Sequence, residues 1–394
     1  MLSCSIEARH ASSAPGAISS SRRSRAAKMA GLIKTLSGSL AAALGLAALP
    51  VRERESQRTP ALGAVRLTAN GDCLSVAATS IDGSIRTGVE ASAEGEMAVP
   101  LERLSSLVRH LPADAEITIA ADDKGATISL GRSRFRLPVI PLVDLPQMFG
   151  LGEITGAIEL EAKIARDLFA RPAFAITQEE ARYVFRGICL YNAATNLVAG
   201  ASDGVRACFV CTPAATSLSV DRSLIVHCDV AKIIVRLLTN ATGKVVLRRS
   251  DRLFGLDGAN FALATKLIDA TFPDCERATA GERPNSVLVD RTTLSESLAR
   301  FKAVADPLVK TQRVILRWGA DGLRLNSHDN VEDLTAEAVG DAVTAIQLPH
   351  LLDLVGSVRG DSIRLATKDA DSIIAVTDPD DASFAAFQSS LRVG

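Results

Sequence analysis

Apolar and polar positions along this chain repeat one long pattern three times. Val99-Pro100-Leu101-Glu102-Arg103-Leu104-Ser105-Ser106-Leu107-Val108-Arg109 reads as a helix, followed by a polar turn and the alternating strand Glu116-Ile117-Thr118-Ile119-Ala120. The same order returns at 226–238 with the strand 244–247, and again at 346–355 with the strand 362–366. Corresponding starts, Val99, Val226 and Ile346, lie 127 and 120 residues apart. An earlier half agrees. Helical-period segments near 37–49, 161–171 and 292–304 precede the strand signals Leu74-Ser75-Val76, Leu197-Val198-Ala199 and Leu323-Arg324-Leu325, each placed beside a turn residue, Gly71, Asn196 or Gly322. Each copy therefore reads helix, hairpin strands, helix, hairpin strands. A period this long exceeds any solenoid unit and predicts three copies of a whole α+β domain. The copies are expected at 30–150, 155–277 and 284–394.

Closing hairpins mark the copy ends. Ala126-Thr127-Ile128-Ser129-Leu130 and Arg134-Phe135-Arg136-Leu137 are joined by Gly131-Arg132-Ser133, and three prolines over 138–146 then end the first copy in extended chain. Leu253-Phe254-Gly255-Leu256 and 261–266 close the second copy, and 373–376 with 384–387 close the third. Residues 1–29 fall outside the repeat. Their Ser, Ala and Arg content resembles a transit peptide, and Ser21-Arg22-Arg23 resembles a twin-arginine signal. The apolar run 40–49 is too short to span a bilayer and occupies the slot of the first copy's opening helix. The segment is read as a disordered or mis-started extension, with Met29 as the start.

Composition narrows the function. Hydrophobic content of 47% supports real cores, and aromatics at 4% make them aliphatic. A net charge of −1 argues against holding nucleic acid by bulk charge, but leaves room for a locally basic surface. Seven cysteines without framework spacing point to reduced thiols and a cytoplasmic setting.

Candidate chemistry is sparse. Cys208-Phe209-Val210-Cys211 is a CxxC, but on a strand its thiols point to opposite faces and read as buried core. His10, His110, His227, His328 and His350 show no metal-ligand spacing. Asp122, Asp123, Asp378, Asp380 and Asp381 sit in polar, turn-like runs and read as solvated loops. No phosphate-binding loop, dinucleotide fingerprint or nucleophile elbow is present. No active site, metal or cofactor is expected. Basic residues on the helices are more informative: Arg103, Arg109, Lys163, Arg166, Lys232, Arg236, Arg300 and Lys302. Helix surfaces ordinarily carry charge. Recurrence in most copies of a slightly acidic chain favours a shared face that meets a phosphate backbone without reading sequence.

The chain resembles the bacterial DNA polymerase III beta subunit, the sliding-clamp family, from about residue 30 to its end. The first copy carries the resemblance in Thr59-Pro60-Ala61-Leu62-Gly63, Val99-Pro100, Leu111-Pro112, Gly131-Arg132-Ser133-Arg134-Phe135-Arg136-Leu137 and Asp144-Leu145-Pro146. The second carries Glu180-Ala181-Arg182-Tyr183-Val184-Phe185-Arg186-Gly187, Ala201-Ser202-Asp203-Gly204-Val205-Arg206 and Lys266-Leu267-Ile268-Asp269-Ala270-Thr271-Phe272-Pro273-Asp274. The last two are specific signatures.

The resemblance implies three tandem clamp domains, each two helices packed on antiparallel sheet, closing as a head-to-tail dimeric ring around duplex DNA without sequence preference. It implies a non-catalytic processivity factor for DNA polymerase III, with the polymerase's catalytic subunit, a clamp loader and other clamp-binding-motif proteins as partners, and no membrane. Their motifs would enter a cleft lined by Phe185, Ser202, Gly204, Arg206, Pro273 and Arg277 from the second copy. Gln347, His350, Leu391 and Arg392 would line it from the third. Asp203-Gly204 alone would read as a tight turn. By analogy Arg52, Arg54, Arg58, Arg182 and Tyr183 would touch DNA beside the helix cations.

The chain also departs from the family. The apolar Met-Pro-x-Arg-Leu ending is replaced by Phe387-Gln388-Ser389-Ser390-Leu391-Arg392-Val393-Gly394. Residues 330–340 form a shortened acidic segment, and an Arg-Lys pair before the second helix of the middle copy is replaced by Cys228-Asp229. Two rival readings stand beside the replicative clamp: a paralogue of the same ring fold serving repair or a mobile element, and a nuclease, which lacks clustered metal-binding carboxylates.

Overall fold

The computed structural model describes residues 32–392 except 123, 215, 216, 220, 307, 310 and 311. The extension 1–29, Asp123 and His10 lie outside the described residues. Eight helices are present among them: α1 (Ser37–Ala47), α2 (Glu53–Arg58), α3 (Leu101–Arg109), α4 (Ala162–Ala170), α5 (Cys228–Leu238), α6 (Cys275–Thr279), α7 (Arg291–Ala303) and α8 (Leu348–Ser357). The six longer ones are the helical segments the repeat predicts, two per copy, because apolar residues at three- and four-residue spacing bury one stripe. Leu101, Leu104 and Val108 of α3 are buried, as are Leu294, Leu298 and Phe301 of α7. Asp290 caps α7, its carboxylate accepting from the Thr293 N–H at 2.6 Å.

The chain folds as two compact units. One comprises the described residues up to Ala162 together with Asn240–Lys266; the other comprises Lys163–Thr239 and Leu267 onward. The first unit holds a ten-stranded antiparallel sheet in the order Ser133–Leu137, Gly125–Leu130, Glu116–Asp122, Leu32–Leu36, Gly83–Pro100, Phe261–Lys266, Leu253–Asp257, Lys244–Arg249 and Gly156–Glu161, with Ala64–Thr79 also paired to Gly83–Pro100. Its aliphatic core gathers Leu40 and Leu44 of α1, Leu104 of α3, and Leu67, Leu74, Met97 and Ile119 of the sheet.

The second unit holds a nine-stranded sheet running Ile225–His227, Gly187–Ala193, Asn196–Ser202, Arg206–Pro213, Asp381–Gln388, Ile374–Asp378, Ser362–Thr367, Asn285–Asp290 and Ala336–Val339. A separate four-stranded sheet runs Asn330–Leu334, Gly322–Ser327, Arg313–Gly319 and Ala342–Gln347. Gly322 turns that hairpin at φ +96°, and a Cβ there would lie 2.6 Å from the Leu334 carbonyl oxygen.

The unit boundaries cut through the middle copy because strand pairing joins it to both neighbours. Its last strand pairs with Gly83–Thr87 of the first copy through Phe261↔Thr87 to Thr265↔Gly83. Its strand Arg206–Pro213 pairs with the last strand of the third copy, Arg206↔Gln388 to Val210↔Phe384. Two reciprocal ion pairs reinforce this second seam, Arg171 to Asp381 at 2.6 Å and Arg359 to Asp167 at 2.5 Å.

The structure corrects one reading. Asp378 and Asp381 are not free loop carboxylates: Asp378 is 4% exposed and accepts from the N–H groups of Arg359, Gly360 and Asp380. Asp381 pairs with the buried Arg171, so these carboxylates anchor turns and the seam. Cys189, Cys208, Cys211, Cys228 and Cys275 are reduced, with Cys208 fully enclosed.

Candidate partner cleft and nucleic-acid interface

The turn Asp203-Gly204-Val205 is built by its own side chains. Asp203 Oδ1 accepts from the N–H groups of Val205 at 2.9 Å and Arg206 at 2.6 Å. Ser202 Oγ accepts from Gly204 N–H at 3.1 Å and donates to the Arg206 carbonyl at 2.7 Å. Gly204 sits at φ +86°, where any other residue would be strained, and a Cβ would come within 3.1 Å of Arg182 Nη1. Arg182 holds the turn from outside, donating to the Asp203 carbonyl at 2.9 Å.

Arg206 is a strut rather than an open arm. Its Nε donates to Asp203 Oδ2 at 2.8 Å, its Nη1 donates to Asp353 Oδ2 on α8 at 2.7 Å, and it stacks over Phe174. These contacts tie the 203–206 turn of the middle copy to a helix of the third.

An apolar floor adjoins the turn. Phe185 is half-buried and meets the buried Phe272 edge-on, ring centroids 5.7 Å apart. Both pack in a cluster with Tyr191, Phe209, Ile225, Cys275 and Phe387. Ala207, next to Arg206, belongs to the same cluster, which carries the apolar lining from Phe185 to the turn. Pro273 is exposed beside Phe272, on a groove it shares with Tyr191, Arg222 and Asp274. Arg277 is exposed on α6, whose start is fixed by Asp274 accepting from the Arg277 N–H at 3.0 Å.

From the third copy, Gln347 precedes α8 and His350 lies in its first turn, facing Arg206, Asp203, Gln388 and Asp353. The divergent tail is secured along this wall. Ser389 N–H donates to the Val205 carbonyl at 2.9 Å, Leu391 N–H to the Ala345 carbonyl at 2.8 Å, and Arg313 to the Arg392 carbonyl at 2.8 Å. Leu391 is half-buried and Arg392 exposed. Phe185, Ser202, Gly204, Arg206 and His350 thus lie along one lining, while Pro273, Arg277, Gln347 and the tail residues border it. Sequence reading missed Phe174, Phe272, Cys275 and Gln388. Phe272 had a signal in the flanking motif; the others had none, because their roles depend on partners far away in the chain.

Burial, then the nearby Arg206 guanidinium, hold the His350 imidazole below its usual value, outweighing Asp203, Gln388 and Asp353, which pull it upward. The unfolded chain therefore binds this proton first as pH falls through the ordinary histidine range of about 6.5. Stability from the neutral ring is complete above that range and declines toward the lower folded value. The thermal midpoint should fall from pH 7.5 to 5.5 more steeply in the unmodified chain than in His350→Asn. Equal slopes would remove His350 as the cause.

The basic candidates divide by environment, each unit taken by itself. In the first, Arg54 and Arg58 on α2 are exposed, while Arg52 pairs with Glu55 at 3.5 Å and Asp82 at 3.7 Å. In the second, Lys163 on α4, Lys232 and Arg236 on α5, and Lys302 on α7 are exposed, and Arg166 is half-buried. Arg182 pairs with Glu179 at 3.0 Å beside the exposed Tyr183, and Arg300 pairs with Glu332. Such surface pairs are worth about 0–1 kcal/mol, little enough for a phosphate to displace the carboxylate.

Known proteins share this arrangement. The model of the DNA polymerase III beta subunit N-terminal domain matches residues 36–149, and that of its central domain matches 159–274. The beta sliding clamp of Pseudomonas putida is 29% identical over 339 residues, spanning 83% of this chain and 92% of that protein. The beta sliding clamp of Caulobacter vibrioides is 27% identical over 334 residues, spanning 82% and 90%. Among solved structures, a Pseudomonas aeruginosa sliding clamp bound to griselimycin superposes with a TM-score of 0.86 at 26% identity, covering 92% of this chain and all of that one. A Caulobacter crescentus clamp gives 0.85 at 26% identity, covering 93% and 100%. With both domain models, full-length relatives and the fold in agreement, the chain belongs to the bacterial DNA polymerase III beta-subunit family of non-catalytic DNA sliding clamps.

Proposed function

We propose that two copies of this chain close head to tail into a ring around duplex DNA, without sequence preference, and that the Phe185–His350 lining captures short motifs. The motifs would come from the DNA polymerase III catalytic subunit, a clamp loader and other clamp-binding proteins. The pairing rule inside the chain carries this reading. Gly83–Pro100 of the first copy pairs with the last strand of the second, and Arg206–Pro213 of the second, which likewise follows the mid-copy hairpin turn, pairs with the last strand of the third. Applied once more, the rule joins the corresponding strand of the last copy, Asn330–Leu334, to the last strand of a partner's first copy, Ser133–Leu137. Among the described residues each of these strands has only one neighbour. A second chain supplies both missing neighbours and covers these two edges.

The copies at 30–150, 155–277 and 284–394 are then the six segments of the ring. Lys163, Arg166, Arg182, Tyr183, Lys232, Arg236, Arg300 and Lys302, with Arg52, Arg54 and Arg58, are the proposed DNA contacts. Retention by topology explains how a chain of net charge −1 keeps hold of DNA. Among the described residues no helix is long and apolar enough to cross a membrane, and a cytoplasmic site of action fits the replicative reading.

The polar tail Gln388-Ser389-Ser390 favours one alternative, a paralogue with the same ring and a repair or mobile-element client. Protein loaded by its cognate loader should persist on a nicked circle and run off once the circle is cut. Equal loss from both forms would sink the topological mechanism. Primer extension on the same circle with the replicative polymerase separates replicative clamp from paralogue.

A further inference from the structure

At the junction of Ile225–His227 and α5, three different metal-binding groups converge. Cys228 Sγ lies 3.8 Å from His227 Nδ1 and 3.8 Å from Asp229 Oδ1, and His227 Nδ1 lies 3.8 Å from Asp229 Oδ2. Tetrahedral zinc, with bonds of about 2.3 Å to sulfur and about 2.0–2.2 Å to nitrogen and oxygen, needs donor separations of roughly 3.3–3.6 Å. The two Asp229 contacts use different oxygens; with one atom taken from each residue the three lie within 4.8 Å of one another, so forming the tetrahedron takes about 1 Å of side-chain closure.

We propose that His227, Cys228 and Asp229 bind one zinc-class transition-metal dication, with water completing the tetrahedron. One sulfur, one imidazole nitrogen and one carboxylate select zinc or cobalt over magnesium or calcium. Lys232 Nζ, 3.8 Å from Asp229 Oδ1, stands where a cation is already favoured, and its exposed side chain can withdraw. The capping bond from Asp229 N–H to His227 Nδ1 is long at 3.3 Å, so the nitrogen gives up little to the metal. Metal binding displaces the proton of the Cys228 thiol. The site escapes spacing rules because its ligands are consecutive residues at a strand-to-helix corner, where the backbone turns their side chains together.

The consequence, which rests on the clamp reading, concerns charge. Asp229, Lys232 and Arg236 follow one face of α5 at helical spacing. A bound dication would cancel the carboxylate and leave that stripe wholly positive, where the sequence has lost a basic pair.

The test uses no DNA, so its outcome is separate from that reading. Metal-free full-length protein is titrated with cobalt(II) and followed by absorption. A sulfur-to-cobalt charge-transfer band with tetrahedral visible bands, saturating at one equivalent per chain, is expected. Cys228→Ser should abolish the charge-transfer band, and His227→Ala should weaken binding about tenfold or more. Cys275→Ser should leave both unchanged, with circular dichroism showing each variant folded. A folded chain that gives no such band, or a band at full strength in Cys228→Ser, overturns the proposal.

Discussion

Lysine at both Phe135 and Val331 should leave the protein at the 41.4 kDa of a single chain in light scattering, where the unmodified protein should run at twice that mass. Phe135 lies on the edge strand Ser133–Leu137 and Val331 on the edge strand Asn330–Leu334, and they are 40% and 55% exposed. Apolar residues on open edges are a liability that soluble proteins cover by pairing or blunt with charge, lysine above all. Truncating central anchors of an interface costs about 2–4 kcal/mol each, which weakens association by roughly thirtyfold or more. Two new like charges on facing strands add repulsion. Both positions are open in the single chain, so each substitution should change folding stability by only about 0.5 kcal/mol. A dimer that survives both lysines, or an unmodified protein that is monomeric at micromolar concentration, would reject the proposed closure.

Phe185→Ser should lower affinity for a fluorescent clamp-binding-motif peptide by about a hundredfold, equivalent to roughly 2.7 kcal/mol. The ring is half-buried, supported edge-on by Phe272 and packed against the buried cluster of Tyr191, Phe209 and Ile225, so it presents an apolar face with little ordering cost. Serine removes that face and leaves part of the Phe272 ring uncovered. Loss of packing also costs stability, so Phe185→Leu serves as the companion variant: it keeps apolar volume and should recover folding with intermediate affinity. Fluorescence anisotropy at fixed salt makes the comparison. Unchanged affinity in folded Phe185→Ser would place the docking surface elsewhere.

Much of the fold was legible because it is local. Each long helix was written in apolar residues at three- and four-residue spacing, and hairpins in alternation broken by Gly131, Gly322 or Asp203-Gly204. Observed helix ends fall within about two residues of those readings, while strands such as Ala64–Thr79 run well beyond theirs. The repeat itself was legible because the same burial problem is solved three times with the same pattern. At the cleft, the Asp203-Gly204 turn could be read because its geometry depends on residues beside it in sequence.

The rest depended on which elements meet. Asp378 and Asp381 looked like loop carboxylates, since sequence spacing records polarity but not the buried N–H groups and arginine that arrive from Arg359, Gly360 and Arg171. Arg206 read as a recognition residue, yet it is committed to Asp203 and to Asp353, a residue 147 positions away. Grouping of His227, Cys228 and Asp229 was hidden for the opposite reason, since a corner of the backbone gathers side chains that a continuous helix or strand would spread apart.

By itself, then, the sequence determined three aliphatic α+β copies, their helices and turns, and the family to which they belong, because periodic burial is encoded residue by residue. Only the tertiary structure decided how the middle copy is shared between two sheets, which loop carboxylates are engaged, and which strands end the sheets. Pairing partners are chosen by backbone hydrogen bonds that leave no trace in side-chain pattern.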